Sequence, residues 1–294
     1  MLMKKTTKLR RLYDEPGLVV STCVWDPLTA RLAENVGFKK LSVGGYAIGA
    51  HSCITEPLLT MTEMAEFCER IAMAVNIPVT ADGDAGYGDA IQVYRTVKTF
   101  EKTGLAGMFI EDQVYPKRAH YHRDYKEHTI SEDDMIEKIK AAVEARDDPE
   151  FMLGARTDTC RTHGMAEAVK RGKAYLKAGA EEVIVFPNNL EEAKAIPKMI
   201  PAPCSYVNSE GNRVGRPILT IRQAEDMGYK HLSNAVSGIE VAAYSVREAY
   251  TNTLKLGNSG WEKEKMIEIR KMIEDTVGLP RLWEIEERTT EKKA

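Results

Sequence analysis

Short apolar runs alternate with amphipathic stretches along nearly the whole chain, and no other feature restricts the possible folds as much. "GLVVSTCVW" is followed by "DPLTARLAENVG", "KKLSVGG" by "MTEMAEFCERIAMAV", "IPVTAD" by "DAIQVYRTVKTFEKTG", and "AGMFIED", after a long polar stretch, by "SEDDMIEKIKAAVEARDD". The beat continues with "FMLGART" and "MAEAVKRGKAYLKAGA", "EEVIVFP" and "NLEEAKAIPKMI", "CSYVN" and "TIRQAEDMG", and "KHLSNA" and "IEVAAYSVREAYTNTLKLG". Runs this short and apolar suit strands buried on both faces, while the longer stretches repeat with a helical period. Strands that alternate with helices require parallel pairing, and eight such units in about 250 residues fit a (β/α)8 TIM barrel. A doubly wound open sheet is the competing arrangement. Asp26 before Pro27 caps the first of these helices, and Ser131 opens the clean helix after the polar stretch.

The pattern assigns 1–258 to a barrel catalytic domain and 259–294 to a C-terminal helical extension. Within the extension "EKEKMIEIRKMIEDTVG" is one helix, surplus to the barrel and suited to packing on its outside or on a neighbouring subunit. The closing "ERTTEKKA" is expected to fray. A net charge of −3, with both signs mixed, argues against a nucleic-acid partner. No apolar run reaches membrane-spanning length, and "MLMKKTTKLR" lacks the apolar centre of a signal peptide. The five scattered cysteines have no metal-binding spacing, which suits reduced thiols in a cytoplasmic protein.

Barrel chemistry sits at the carboxyl ends of the strands. Those ends collect Ser42, Gly44, Gly45 and Tyr46 after strand 2, Asp82 and Asp84 after strand 3, and Glu111 and Asp112 after strand 4. Strand 5 adds Arg156 and Asp158, strand 6 Asn188, strand 7 Tyr206 and Asn208, and strand 8 Asn234. Four carboxylates on adjacent strands repel unless a cation lies among them, and hard oxygen donors suit Mg2+, with Mn2+ as the alternative. A D-x-D turn with side-chain capping is the plainer reading of Asp82 and Asp84, and Asp112 has a second reading as a clamp on backbone amides at the barrel rim. The glycines are either tight turns or a source of bare N–H groups for an oxyanion. Arg156 is either a bidentate clamp for a carboxylate or a structural partner of Asp158. Metal, N–H groups and arginine together describe a site for a small, dense anion such as a 2-oxo or 2-hydroxy acid.

"TADGDAGYGDA", "FIEDQVYPKR" and "MLGARTD", in this order and at these strand ends, resemble the isocitrate lyase / phosphoenolpyruvate mutase superfamily, from about Val19 to Leu256. "IEDQ" and "IKAAVEARDDPEFMLGARTD" are most similar to the methylisocitrate lyase branch, and "VYPK" to the mutase and phosphonopyruvate hydrolase branch. The resemblance implies a (β/α)8 barrel whose extra C-terminal helix is swapped between subunits, usually in a homotetramer. It implies Asp84 as direct Mg2+ ligand, Asp82 and Glu111 as holders of its waters, and Glu56 in "CITEPLL" as a further acid near the metal. Ser42, Gly44 and Gly45 would grip the substrate carboxylate and Arg156 its other end, and the stretch from Gln113 to Ser131 would be a mobile gating loop.

The departures from the pattern concern that loop. Where the lyases carry K-[KR]-C-G-H, whose Cys protonates the carbanion, this chain has Lys117-Arg118-Ala119-His120-Tyr121-His122. Asn188 stands in place of a Glu, and Val207 in place of an Asn. The resemblance implies enolate stabilisation by the metal, so the expected reaction is C–C cleavage of a small 2-oxo or 2-hydroxy di- or tricarboxylic acid. Decarboxylation of an oxaloacetate-like acid needs the missing thiol least. Retro-aldol cleavage needs a new acid, for which His120, Tyr121 and His122 are the loop candidates, with Lys117 and Arg156 completing the catalytic set. A P–C bond enzyme and a non-catalytic barrel that binds an oxo acid are the alternatives. The loop cations are expected to close over a polyanionic substrate.

Overall fold

The structure, a computed structural model, describes residues 3–118 and 128–290. Eight parallel strands close into a barrel in sequence order: β1 Val19–Cys23, β2 Lys40–Val43, β3 Val79–Asp82, β4 Gly107–Glu111, β5 Met152–Thr157, β6 Glu182–Val185, β7 Cys204–Asn208 and β8 His231–Asn234. The ring is sealed between the first strand and the last, with Val19 opposite His231 and Thr22 opposite Asn234. The helices are α1 Lys5–Asp14, α2 Pro27–Val36, α3 Gly45–His51, α4 Met61–Ala74, α5 Ala90–Lys102, α6 Glu132–Ala145 and α7 Thr159–His163. They continue with α8 Met165–Ala178, α9 Leu190–Met199, α10 Ile221–Met227, α11 Ser237–Leu256, α12 Lys263–Val277 and α13 Leu279–Thr289, and a single 3₁₀ turn spans Glu56–Leu58.

All eight expected strands are present. β2, β3, β5 and β6 are buried at every position, as parallel strands with covered faces must be. Asp26 caps α2 by accepting from Thr29 N at 2.7 Å, and Ser131 caps α6 by accepting from Asp134 N at 3.0 Å. Outside the strands, Val183, Val185 and Cys204 pack with Ala193, Ile196 and Ala224 of the covering helices. Full burial of each larger side chain there contributes about 1.5–3 kcal/mol.

Inside the barrel, toward the amino ends of the strands, the filling is polar. Lys40, Glu182, His231, Ser21 and Ser205 are all buried. Ser21 Oγ lies 2.8 Å from His231 Nε2 and Ser205 Oγ 2.8 Å from His231 Nδ1. Ser205 donates to Glu182, as does Tyr13 of α1 at 2.6 Å, and Lys40 Nζ lies 3.1 Å from His231 Nε2. Because the Ser205 proton is committed to Glu182, Nδ1 carries the imidazole proton and Nε2 accepts.

The chain separates into two compact units, Met1–Ile239 and Glu240–Ala294. The tail holds two helices, α12 and α13, rather than one, because Gly278 takes a left-handed φ of 78° and Pro280 restarts the next helix in its first turn. α13 ends at Thr289, so the end expected to fray, residues 287–294, begins within a helix, and residues 291–294 of it lie outside the described residues. The polar stretch after β4 is also more ordered at its base than expected: Val114 N donates to His128 O at 2.6 Å and Ile130 N to Asp112 O at 2.8 Å. No helix among the described residues is long and apolar enough to cross a membrane.

Candidate active site

The turn after β3 is built to hold acids close together. Asp84 adopts a left-handed backbone at φ 51°, a conformation non-glycine residues rarely take and one that recurs at functional sites. It is fixed by Asp84 N donating to the Asp82 carboxylate at 2.8 Å and by Glu111 N donating to Asp84 O at 2.9 Å. Between them Gly83 is obligatory, since a Cβ there would lie 2.8 Å from Phe109 O. Glu56 enters from the 3₁₀ turn and approaches so closely that a Cβ on Gly45 would sit 2.7 Å from Glu56 Cγ.

Asp82, Asp84, Glu111 and Glu56 are all buried at this end of the barrel. The group at their centre is the ammonium of Lys117, which pairs with Glu56, with Glu111 at 2.8 Å and with Asp84 at 3.4 Å. Arg156 closes the other side, 2.8 Å from Glu111 and within 3.0 Å of Asp158 through Nε and Nη2. Burial pushes Asp82 up to about 8, with Glu111 adding to it, and pushes Asp84 up to about 6 against the pull of Lys117. Burial opposes the charge of Lys117, but Glu111, Glu56 and Asp84 together hold its ammonium well above the ordinary lysine range.

The donor chemistry suits a hard divalent cation. The four acids offer only oxygen, and two cations, Lys117 and Arg156, face them. The two Glu111 oxygens are fully buried, and their contacts have the distances of ion pairs without the angles of hydrogen bonds. Among the described residues no group of three or more His, Cys, Asp or Glu side chains is assembled closely enough around one point to hold a metal, and Lys117 lies against three of the four acids. Asp84, Asp82, Glu111 and Glu56 are the residues that would hold Mg2+.

Asp112 turns away from this cluster. It accepts from Thr157 Oγ1 at 2.7 Å, Tyr175 OH at 2.8 Å, Arg171 Nη1 at 3.1 Å and the backbone N of Asp158 at 3.0 Å, and so clamps the rim.

Several polar residues expected to meet substrate are committed elsewhere. Tyr206 is wholly buried and donates to Pro217 O at 2.6 Å. Asn208 donates to Leu219 O and accepts from Leu219 N, at 2.8 and 2.9 Å. The exposed Asn188 bonds Glu192 on α9 at 3.0 Å and Cys160 O at 3.3 Å. Asn234 accepts from Ser237 Oγ at 2.8 Å at the start of α11 and donates to Glu210 at 3.2 Å. Ser42 shares a 2.9 Å hydrogen bond with Ser21 inside the barrel, Gly44 and Gly45 open α3, and Tyr46 is exposed. Of the loop candidates, Lys117 is in the cluster, and His120, Tyr121 and His122 lie outside the described residues.

Sequence reading missed two residues. Phe186, just past β6, carries the Arg156 guanidinium 4.3 Å from its ring centre and that of Arg216, from the segment after β7, at 4.2 Å. The signal for Arg216 was "GRP", an arginine between glycine and proline in the segment beyond a strand end.

Comparison with known proteins bears on this arrangement. Residues 9–254 match the phosphoenolpyruvate phosphomutase family. A 2,3-dimethylmalate lyase of Eubacterium barkeri is 35% identical, over 97% of this chain and 98% of its own. Among solved structures, oxaloacetate acetylhydrolase bound to the inhibitor 3,3-difluorooxalacetate aligns with a TM-score of 0.88 at 27% identity, covering 99% of this chain and 98% of that one. Phosphonopyruvate hydrolase in complex with oxalate and Mg2+ aligns at 0.83 and 26%, covering 98% and 100%.

Proposed function

Because this chain belongs to the phosphoenolpyruvate phosphomutase family, we propose that it cleaves a C–C bond in a small 2-oxo or 2-hydroxy di- or tricarboxylic acid with the help of Mg2+. The observation that carries this reading is the buried quartet Glu56, Asp82, Asp84 and Glu111, gathered around a cation at the carboxyl ends of β3 and β4. When bound, the metal supplies Lewis-acid polarisation of a substrate oxygen and a template for its carboxylate.

The rest of the work falls to the chain itself. Arg156, fixed by Glu111 and Asp158, sets positive charge beside the acids and orients Glu111. Lys117 sets an ammonium among the acids, so its role is that of a counter-ion which admits the substrate's negative charge. Burial excludes water from the cluster and strengthens each of these interactions. Decarboxylation, which needs no placed acid, and lyase cleavage with an acid from the loop are both included in the proposal. A 2,3-dimethylmalate lyase among the relatives and an oxaloacetate acetylhydrolase among the structural neighbours support C–C chemistry. The phosphonopyruvate hydrolase neighbour and Tyr115-Pro116-Lys117 favour P–C chemistry as the second reading. A homotetramer remains part of the proposal, supported by exposed Val241, Tyr244, Tyr250, Leu254, Trp261 and Trp283 in the C-terminal unit.

The test is a panel of oxaloacetate, methylisocitrate, dimethylmalate, citramalate and phosphonopyruvate with Mg2+, read by NMR of the products, with Asp84→Ala as control. C–C cleavage that vanishes in the variant and with EDTA is the expected result. Turnover surviving both sinks the metal role, and turnover of phosphonopyruvate alone transfers the protein to P–C chemistry.

A further inference from the structure

Arg216 is buried, with 8% of its surface exposed, yet its Nε has no hydrogen-bond partner among the described residues. An arginine that served only packing would be expected to satisfy such a group with a backbone carbonyl, because a buried, unpaired polar atom is unfavourable. A second unfavourable feature lies beside it. The Arg216 guanidinium shares the Phe186 ring with Arg156, so two cations face one aromatic side chain. The ring attracts each, but the two repel one another in a poorly solvated place. The cations differ in what they have left to offer. Arg156 directs Nε, Nη1 and Nη2 at Asp158 and Glu111. Arg216 makes no ion pair among the described residues.

The backbone around Arg216 is held with care. Asn212 accepts from Arg216 N at 2.9 Å and donates to Arg216 O at 3.1 Å. Tyr206 holds the next residue through Pro217 O, and Asn208 holds Leu219 through both its N and its O. The polar side chains that end β7 are thus spent on fixing the segment that carries this arginine. An anion beside Arg216 would satisfy the unpaired donor and offset the positive charge that two guanidinium groups gather at Phe186.

We infer that Arg216 is a substrate-binding residue that receives the second, distal carboxylate of a dicarboxylate whose reacting end lies at the Asp82–Glu111 cluster. This rests on the proposed cleavage of a dicarboxylic or tricarboxylic acid and deepens it, since Arg216 then selects against monocarboxylates. A distal phosphonate presents the same oxyanion chemistry, and the planar guanidinium fork suits either.

The experiment is titration calorimetry on the full chain with Mg2+ present, using 3,3-difluorooxalacetate, pyruvate and phosphonopyruvate as probes. Arg216→Met is expected to weaken the difluoro dicarboxylate by about tenfold or more and to leave pyruvate within about twofold. Arg216→Lys, which keeps the charge and loses the fork, is expected to fall between, and it carries the test if the Met variant does not fold. An equal loss for dicarboxylate and pyruvate means a structural arginine and overturns the inference, as does no loss for either. A larger loss for phosphonopyruvate than for the dicarboxylate overturns the assignment to carboxylate. A wild-type protein that binds the dicarboxylate no tighter than pyruvate also overturns it. These affinities need no turnover, so the cleavage reading stands or falls separately on product NMR.

Discussion

Lys117 shows how far a single side chain can change the meaning of a motif. The acids at the ends of β3 and β4 were legible in the sequence, because D-x-D and E-D follow apolar runs at places where a barrel collects its chemistry. Lys117 was expected in the catalytic set, but its place among the acids was not legible, since a lysine in a loop gives no indication of where its flexible stem will reach. The same limit applies to Tyr206 and Asn208. Their position at a strand end was visible, but their partners are backbone carbonyls and amides of a segment that has no sequence signature. Removing the counter-ion should expose the quartet's repulsion. Lys117→Met is expected to lose about 3 kcal/mol of stability without Mg2+, as when one partner of a buried ion pair is deleted. Millimolar Mg2+ should then raise the melting temperature of the variant more than that of the wild type. Calorimetric melts with and without the ion check this, and an equal rise in both proteins would refute the counter-ion role.

At the level of elements, strands such as β4 and β6 were recoverable as short, mostly apolar runs, whereas β8, with His231, Ser233 and Asn234, was legible chiefly from its place in the alternation; helices such as α2, α4 and α6 were recoverable from a side-chain cap and a regular apolar face. The short α3 and α7 escaped notice, having too few residues to show a period. So did the division between α12 and α13, although Gly278 and Pro280 announce it. Asp112 is the element-scale fastener, tying β4 to β5 through Thr157 and Asp158 and to α8 through Arg171 and Tyr175. Asp112→Ala leaves Arg171 and Tyr175 without this partner and is expected to destabilise by about 3 kcal/mol. Urea unfolding measures the change, and an unaltered midpoint would show that the clamp carries no net stability.

Across the whole molecule, the polar filling of the barrel joins α1 to five strands through His231, Lys40, Glu182, Ser21 and Ser205. Burial, reinforced by Lys40, depresses His231 to about 4, while Lys40 and His231 hold Glu182 down at about 2 despite its burial. The unfolded chain takes up a proton on His231 near pH 6.5, whereas the folded one waits until about 4. Stability from this residue is therefore present above about 6.5 and falls by about 3 kcal/mol as pH drops to 4. Asp82 and Asp84 act in the opposite sense, since their raised values favour the folded state at low pH. The comparison must therefore be made against a variant: His231→Gln should lack this part of the acid sensitivity in urea melts at pH 7.5 and 4.5. Identical pH slopes in both proteins would rule the imidazole out.

The seam between β1 and β8 has a further consequence, for how the chain comes into being. Val19 takes its place opposite His231, and Val19 N donates to Lys230 O, so the first strand's outer hydrogen bonds belong to residues made about 200 positions later. At ribosomal rates of about 5–20 residues per second, that edge waits roughly 10–40 s for its partner. Any sheet formed by the earlier strands alone has two open edges, and only the last of the eight strands closes it into a ring without edges.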